Sequence, residues 1–372
     1  MTGLPLIDLD VHNELKNHQR DLFPYLSSGW QDFVRSGHFD DPLRGMSVVP
    51  AVHMFGEQPG GYERKDALPE DGGFAGSDPA VMIEQLIDPF GVEYAILTGG
   101  FIAFTVSSAS NVHFAQEVAR ATNDELRDNW LDRDPRFRGS ITFSIQVPEW
   151  GAQEIYRWAD EDRFVQAMSA CNPLPYGFGH PIFDPVHRAC AETGLPFGIH
   201  SLGEGYAGAI PSHLASGWPT LYVEFHTGAI QGILTHLMSF VFHGVFERYP
   251  TFKLVLIEAG VSWLPGFLRR MDANFRGLRR ETPWLKKLPS EYVMEHVVVT
   301  TQPFDIDSPD DELIAALDAA GAADILAYSS DYPHWDTDVP TRAVAAMPPH
   351  WRERVLRGNA ARLYGLELAV AA

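Results

Sequence analysis

The run Leu6-Ile7-Asp8-Leu9-Asp10-Val11-His12-Asn13 decides the fold. Its first seven residues alternate with a period of two, so Asp8, Asp10 and His12 share one face of a strand while Ile7, Leu9 and Val11 point the other way. No glycine-rich turn follows it, which argues against an open doubly wound sheet built to hold a dinucleotide. Seven further short apolar or β-branched runs recur downstream: Tyr94–Thr98, Ser140–Ile145, Phe164–Ser169, Pro196–His200, Leu254–Glu258, Val297–Thr300 and Ile325–Ser329. Stretches with helical periodicity separate them. In Val81–Phe90, residues Ile83, Leu86, Ile87 and Phe90 fall on one helix face, and Val112–Trp130 is preceded by Ser110 and Asn111 as capping residues. Eight strands alternating with helices predict an α/β fold, a parallel sheet closed into a (β/α)8 TIM barrel.

The 372 residues are read as one barrel domain, 1–372, enlarged by insertions. The largest, 13–79, follows strand one; within it Gly56 to Pro79 holds nine Gly or Pro among 24 residues, which predicts an irregular lid or binding loop. A second insertion runs from Ser201 to Trp218. The chain carries 28 Lys+Arg against 49 Asp+Glu, a formal charge of −21, and no basic stripe, so nucleic acid and anionic membrane surfaces are excluded as partners. Its densest basic stretch, Arg269 to Lys287, is mixed with Asp272 and Glu281. Cys171 and Cys190 form no disulfide or zinc spacing and read as core residues in a reducing compartment. The N-terminus lacks the pattern of a signal peptide, and the longest weakly polar run, Tyr94 to Val106, is too short to span a bilayer; the expected location is cytoplasmic. The apolar segment Ile233 to Phe246 fits either a core helix or the interface of a homo-oligomer.

In a barrel, the C-terminal ends of the strands converge on one mouth. Strand one ends in Asp10-Val11-His12, strand five in His200, strand six in Glu258 and strand eight in Ser330-Asp331-Tyr332-Pro333-His334. Nitrogen and oxygen donors at four strand ends can hold a divalent metal and favour iron, manganese or zinc over calcium or magnesium. One histidine at a strand end is more often a hydrogen-bonded core residue, but Asp10, His12, His200 and Asp331 together are hard to explain as packing, because buried charges are costly unless paired or metal-bound. Asp8 lies deeper and reads as support. For His226, before an apolar helix, ligand and structural roles balance. His334 fits a ligand, an acid/base or a cap, and His236 and His243 read as structural.

Asp10-x-His12, His200, the segment Gly244-Val245-Phe246-Glu247-Arg248-Tyr249-Pro250, and Ser330-Asp331-Tyr332-Pro333-His334-Trp335-Asp336 resemble the amidohydrolase-related metal barrels that include aminocarboxymuconate-semialdehyde decarboxylase. Gly358-Asn359-Ala360-Ala361-Arg362-Leu363-Tyr364-Gly365 is similar to their C-terminal helix. The resemblance implies that Asp10, His12, His200 and Asp331 ligate metal. It also implies a histidine at the end of strand six, where this chain has Glu258. With Glu258, the extra His226 and the Pro-His-Trp-Asp loop, the chain resembles a non-haem diiron oxygenase branch of the same barrel, often acting on coenzyme-A-linked acyl groups. Asp10, His12, His200, His226, Glu258, Asp331 and His334 are seven possible ligands, more than one ion in an open catalytic site needs. The expected function is therefore a diiron monooxygenase using O2 on a hydrophobic acyl or carboxylate substrate, with two iron ions and with Asp331, His334 and Glu258 as catalytic groups. Phe101, Phe104, Trp218, Trp263 and Trp335 are its candidate apolar wall. The alternative is a hydrolase or non-oxidative decarboxylase using zinc or manganese, in which Asp331 is base as well as ligand and His334 or His226 shuttles a proton.

Overall fold

The computed structural model describes residues 5–36, 63–201, 221–309 and 311–368. Eight parallel strands stand in sequence order: β1 Leu6–Val11, β2 Val92–Leu97, β3 Phe137–Thr142, β4 Phe164–Ser169, β5 Phe197–His200, β6 Leu254–Ile257, β7 Val297–Thr300 and β8 Leu326–Ala327. The ring closes just past β8, where Leu9 N donates to Tyr328 O at 3.0 Å, Asp331 N to Asp10 O at 3.0 Å and His12 N to Tyr332 O at 2.8 Å. This is the expected (β/α)8 barrel. Closure by backbone bonds also lays the Asp331 loop directly against Asp10 and His12.

Helices cover the outside of the ring. Helix Val112–Leu126 is capped by Asn111, whose carboxamide oxygen accepts from the backbone of His113 and Phe114. Helix Ile230–Phe242 turns Ile233, Leu237, Phe240 and Val241 into the core, so the apolar stretch that fitted either role packs inside this chain. Phe137, Phe164, Phe197, Phe240 and Phe252 belong to that core, and each such ring is worth about 2–3 kcal/mol on burial. The terminal helix Asn359–Tyr364 is pinned to β8: Asn359 Nδ2 donates to the carbonyls of Ala323 and Leu326. Among the described residues no helix is long and apolar enough to cross a membrane.

The irregular stretch expected, Gly56–Pro79, makes up only part of the insertion after β1. Residues 37–62 lie outside the described residues, as does 202–220, which holds most of the second insertion and Trp218. The first leg is helical, with helices His18–Leu22 and Ser28–Ser36. Leu22, Leu26 and Val34 are buried with Ala115, Val118 and Ala119, while Trp30 and Phe33 meet Phe114 at ring distances of 5.3 and 5.2 Å. An apolar face that docks on a neighbouring helix is enough to hold such short helices. The second leg, 63–78, is irregular as read and lies on the mouth. Arg64 N donates to Pro333 O at 2.8 Å, Glu63 bridges His334, and Glu14 N donates to Gly76 O at 3.0 Å. A side chain at Gly76 would stand 2.5 Å from His12 O, and its φ of +77° is a glycine conformation.

Where the first leg meets helix Val112–Leu126, Glu125 is 6% exposed. Burial pushes its carboxyl up to about 7, and the negative charges of Asp21, Glu14 and Asp128 add to the rise. An acid whose folded-state pKa is raised binds more protons folded than unfolded. Stability therefore falls as pH rises from about 4.5 to about 7, and the cost is complete above that. Glu125→Gln is expected to stabilise the protein by about 1–3 kcal/mol at pH 8 and to change little at pH 4.5, as read by urea unfolding at both values.

Candidate metal centre and active site

The interior face of β1 carries Asp8, Asp10 and His12 to the mouth, each 3% exposed or less. His12 Nδ1 lies 2.7 Å from Gly99 O and must donate to it, so Nε2 is the atom that faces the site. That Nε2 is 2.9 Å from Asp331 Oδ1 and 3.5 Å from Asp10 Oδ1. From β5, His200 presents Nε2 at 3.4 Å from Asp10 Oδ2, while its Nδ1 is 3.1 Å from Ser201 O. His334 Nδ1 is 2.7 Å from Asp331 Oδ1, and the His12 and His334 rings are 4.3 Å apart. Two sets of donor atoms, Asp10 with His12 and His200, and His12 with Asp331 and His334, each fall within 4.8 Å of one another. They share His12.

Three atoms of this group, Asp10 Oδ2, His200 Nε2 and Asp331 Oδ2, are buried without a hydrogen-bond partner. Buried polar atoms are ordinarily satisfied, so orphans within two donor sets that share His12 fit a cation that would take their lone pairs. Carbonyl bonds at the far nitrogens of His12 and His200 fix the ring orientation that a metal-ligating imidazole needs.

Glu258 and His226 lie outside both sets. Glu258 Oε2 accepts from Ser201 Oγ at 2.8 Å and stands 3.5 Å from His200 Nδ1, on the side of the ring away from Asp10. His226 Nε2 is 3.8 Å from Glu258 Oε1 and 3.2 Å from Asp336 Oδ2. Among the described residues, Glu258 and Asp331 are the two non-glycine residues with positive φ, 53° and 60°. Each follows a strand end at the mouth, and the left-handed turn there costs about 1–3 kcal/mol.

The electrostatics are those of a crowded acidic site. Burial raises the Glu258 carboxyl well above its usual range, and the charges of Asp331, Asp336 and Asp10 raise it further. Burial likewise lifts Asp8 to about 7. His12 is carried up to about 9, because Asp10 and Asp331 overcome the burial that would lower it. Asp331 is held below the ordinary carboxylate range: burial works to raise it, but His334 and His12 outweigh that. A bound cation would bring the raised carboxyls and His12 back down and hold Asp331 low.

Of the aromatic wall, Phe104 stands edge-on to His200 at 4.6 Å, and Trp335, 53% exposed, lies 5.8 Å from His226. Phe101 stacks on His18 at 5.4 Å, and Trp263 donates to the carbonyls of Ala259 and Gly260. His236 accepts from Phe178 N in the helical layer. Sequence reading passed over two residues at this mouth. Glu63, in the Gly/Pro-rich insertion, gives no periodic signal, and only the folded chain brings it to His334. Gln302 stands two residues past β7, where the strand-end rule reaches it, but a neutral amide is no metal ligand and drew no attention.

Comparisons with known proteins bear on this geometry. A family model described as amidohydrolase matches residues 38–366. The chain is 25% identical over 279 residues to a gamma-resorcylate decarboxylase of Polaromonas sp., covering 68% of this chain and 77% of that one. A gamma-resorcylate decarboxylase of Rhodococcus jostii is 24% identical over 304 residues, covering 76% and 86%. Among solved structures, the 5-carboxyvanillate decarboxylase of Novosphingobium aromaticivorans, complexed with manganese and 4-hydroxy-3-methoxy-5-nitrobenzoic acid, gives a TM-score of 0.67 at 21% identity over 98% of this chain and 97% of that one. An amidohydrolase from Mycobacterium avium subsp. paratuberculosis gives 0.70 at 19% identity over 97% and 99%. At these identities the structural likenesses speak for the barrel.

Proposed function

Because the chain belongs to the amidohydrolase family, we propose that it is a metal-dependent, non-oxidative decarboxylase of small aromatic carboxylates. The observation that carries this reading is the pair of donor sets sharing His12, Asp10 with His12 and His200 and His12 with Asp331 and His334, in which three buried atoms are unpartnered. Support comes from relatives named for decarboxylation, one of them solved with manganese. The expectation of two irons, O2 and an acyl substrate gains no support from them, and the alternative drawn from the sequence becomes the main reading.

A divalent ion held by Asp10, His12, His200 and Asp331 would supply a Lewis acid for the substrate's oxygens. The remaining chemistry falls to side chains. The bond between the ring carbon and the carboxyl carbon breaks, CO2 leaves, and the electron pair left on the ring carbon takes a proton. Asp331 would relay that proton through Oδ1, which stands 2.7 Å from His334 Nδ1, leaving Oδ2 for the ion. His334, the more exposed of the two imidazoles, restores the proton from solvent. Phe104, edge-on to His200 at 4.6 Å, would give a planar substrate an apolar wall.

Manganese-loaded protein given 2,6-dihydroxybenzoate is expected to form the decarboxylated diol, followed by chromatography. Absence of product across a panel of hydroxybenzoates would remove the reading.

A further inference from the structure

One wall of the mouth is left unexplained by the metal ligands and the proton carrier. Gln302, fully buried past β7, donates through Nε2 to Asp336 Oδ2 at 3.1 Å. The same Asp336 oxygen lies 3.2 Å from His226 Nε2, and His226 in turn faces Glu258. Asp336 accepts both contacts, which fixes the orientation of the Gln302 amide: nitrogen toward Asp336, oxygen away from it. That oxygen, Oε1, is buried and has no hydrogen-bond partner. A buried amide acceptor left unmet is costly, and it cannot be relieved by flipping the amide, because the flip would set two oxygens against each other. Asp336, the acceptor already met by Gln302 Nε2 and His226, offers Oε1 no donor.

We infer that Gln302 is a specificity-determining residue whose Oε1 accepts a hydrogen bond from a hydroxyl of the substrate. This rests on the decarboxylase reading and requires of its substrate a hydroxyl donor within reach of Gln302. Asp336 positions the amide, and His226 orients Asp336. A substrate whose hydroxyl is replaced by a non-donor leaves Oε1 unmet, and a site built around such a bond discriminates strongly.

The test uses manganese-loaded full-length protein and two probes that cannot lose CO2, 2-nitroresorcinol and 1,3-difluoro-2-nitrobenzene, titrated by calorimetry. Wild-type protein is expected to prefer the hydroxylated probe by about 10- to 100-fold. Gln302→Met, of similar length and without the acceptor, is expected to reduce that preference to about threefold or less while keeping the manganese stoichiometry and the affinity for the difluoro probe. Gln302→Asn, which withdraws the oxygen by one methylene, is expected to do the same if the Met variant does not fold. An unchanged preference in either folded variant would overturn the inference and assign Oε1 to a structural water. Equal binding of both probes by wild-type protein would overturn the inference alone; binding of neither would overturn the aromatic reading and the inference with it.

Discussion

Asp331→Asn is expected to lower turnover by about 10³-fold or more while leaving the fold intact, measured as steady-state decarboxylation beside circular dichroism and thermal unfolding. Asparagine has the shape of aspartate and tolerates a φ of 60°, so the turn after β8 survives. What is lost is the charge. Asp331 is wholly buried, and its Oδ1 meets His12 Nε2 at 2.9 Å and His334 Nδ1 at 2.7 Å. An amide can neither carry the proton nor supply the anionic oxygen required of a ligand. A variant that kept more than a tenth of wild-type turnover would show that another group brings the proton.

His200→Ala is expected to weaken manganese binding by about 100-fold or more, read through stability rather than turnover. His200 is wholly buried and its Nε2 is unpartnered, so a bound ion is the natural recipient of its lone pair. Ligand that binds only the folded state stabilises it by about 2.7 kcal/mol at a concentration of 100 Kd. With affinity reduced 100-fold, the same manganese stabilises by about 0.4 kcal/mol. Denaturant unfolding with and without manganese, and with a chelator, distinguishes the two cases. Equal stabilisation of wild type and variant would exclude His200 from the ligand set.

Most of the barrel was legible because each strand is a short apolar run ending in a polar residue, and the register of β1 follows from simple alternation. β3 is the exception, lying at Phe137–Thr142 rather than Ser140–Ile145. Its first half contains Arg138 and Gly139, which weaken a strand signal; Arg138 escapes the interior by lying over the Tyr94 ring at 4.4 Å. Phe143 and Ile145 are buried, but past the strand. The helices of the insertion were hidden for another reason: Trp30 and Val34 find their partners on helix Val112–Leu126, far away in sequence. Asp10, His12, His200, Asp331 and His334 could be named because their residue types and strand-end positions speak for themselves. The proximity of Glu63 to His334, the position of Glu258 behind His200 and the unmet acceptor of Gln302 depend on how separate loops meet, which no local pattern encodes.

Simultaneous measurement of CO2 release and O2 uptake by the manganese-loaded protein acting on a hydroxybenzoate separates decarboxylation from oxygenation. A non-oxidative decarboxylase is expected to release one CO2 for each substrate consumed with no O2 uptake, unchanged when oxygen is removed. Consumption of O2 with a hydroxylated product that keeps its carboxylate would contradict it.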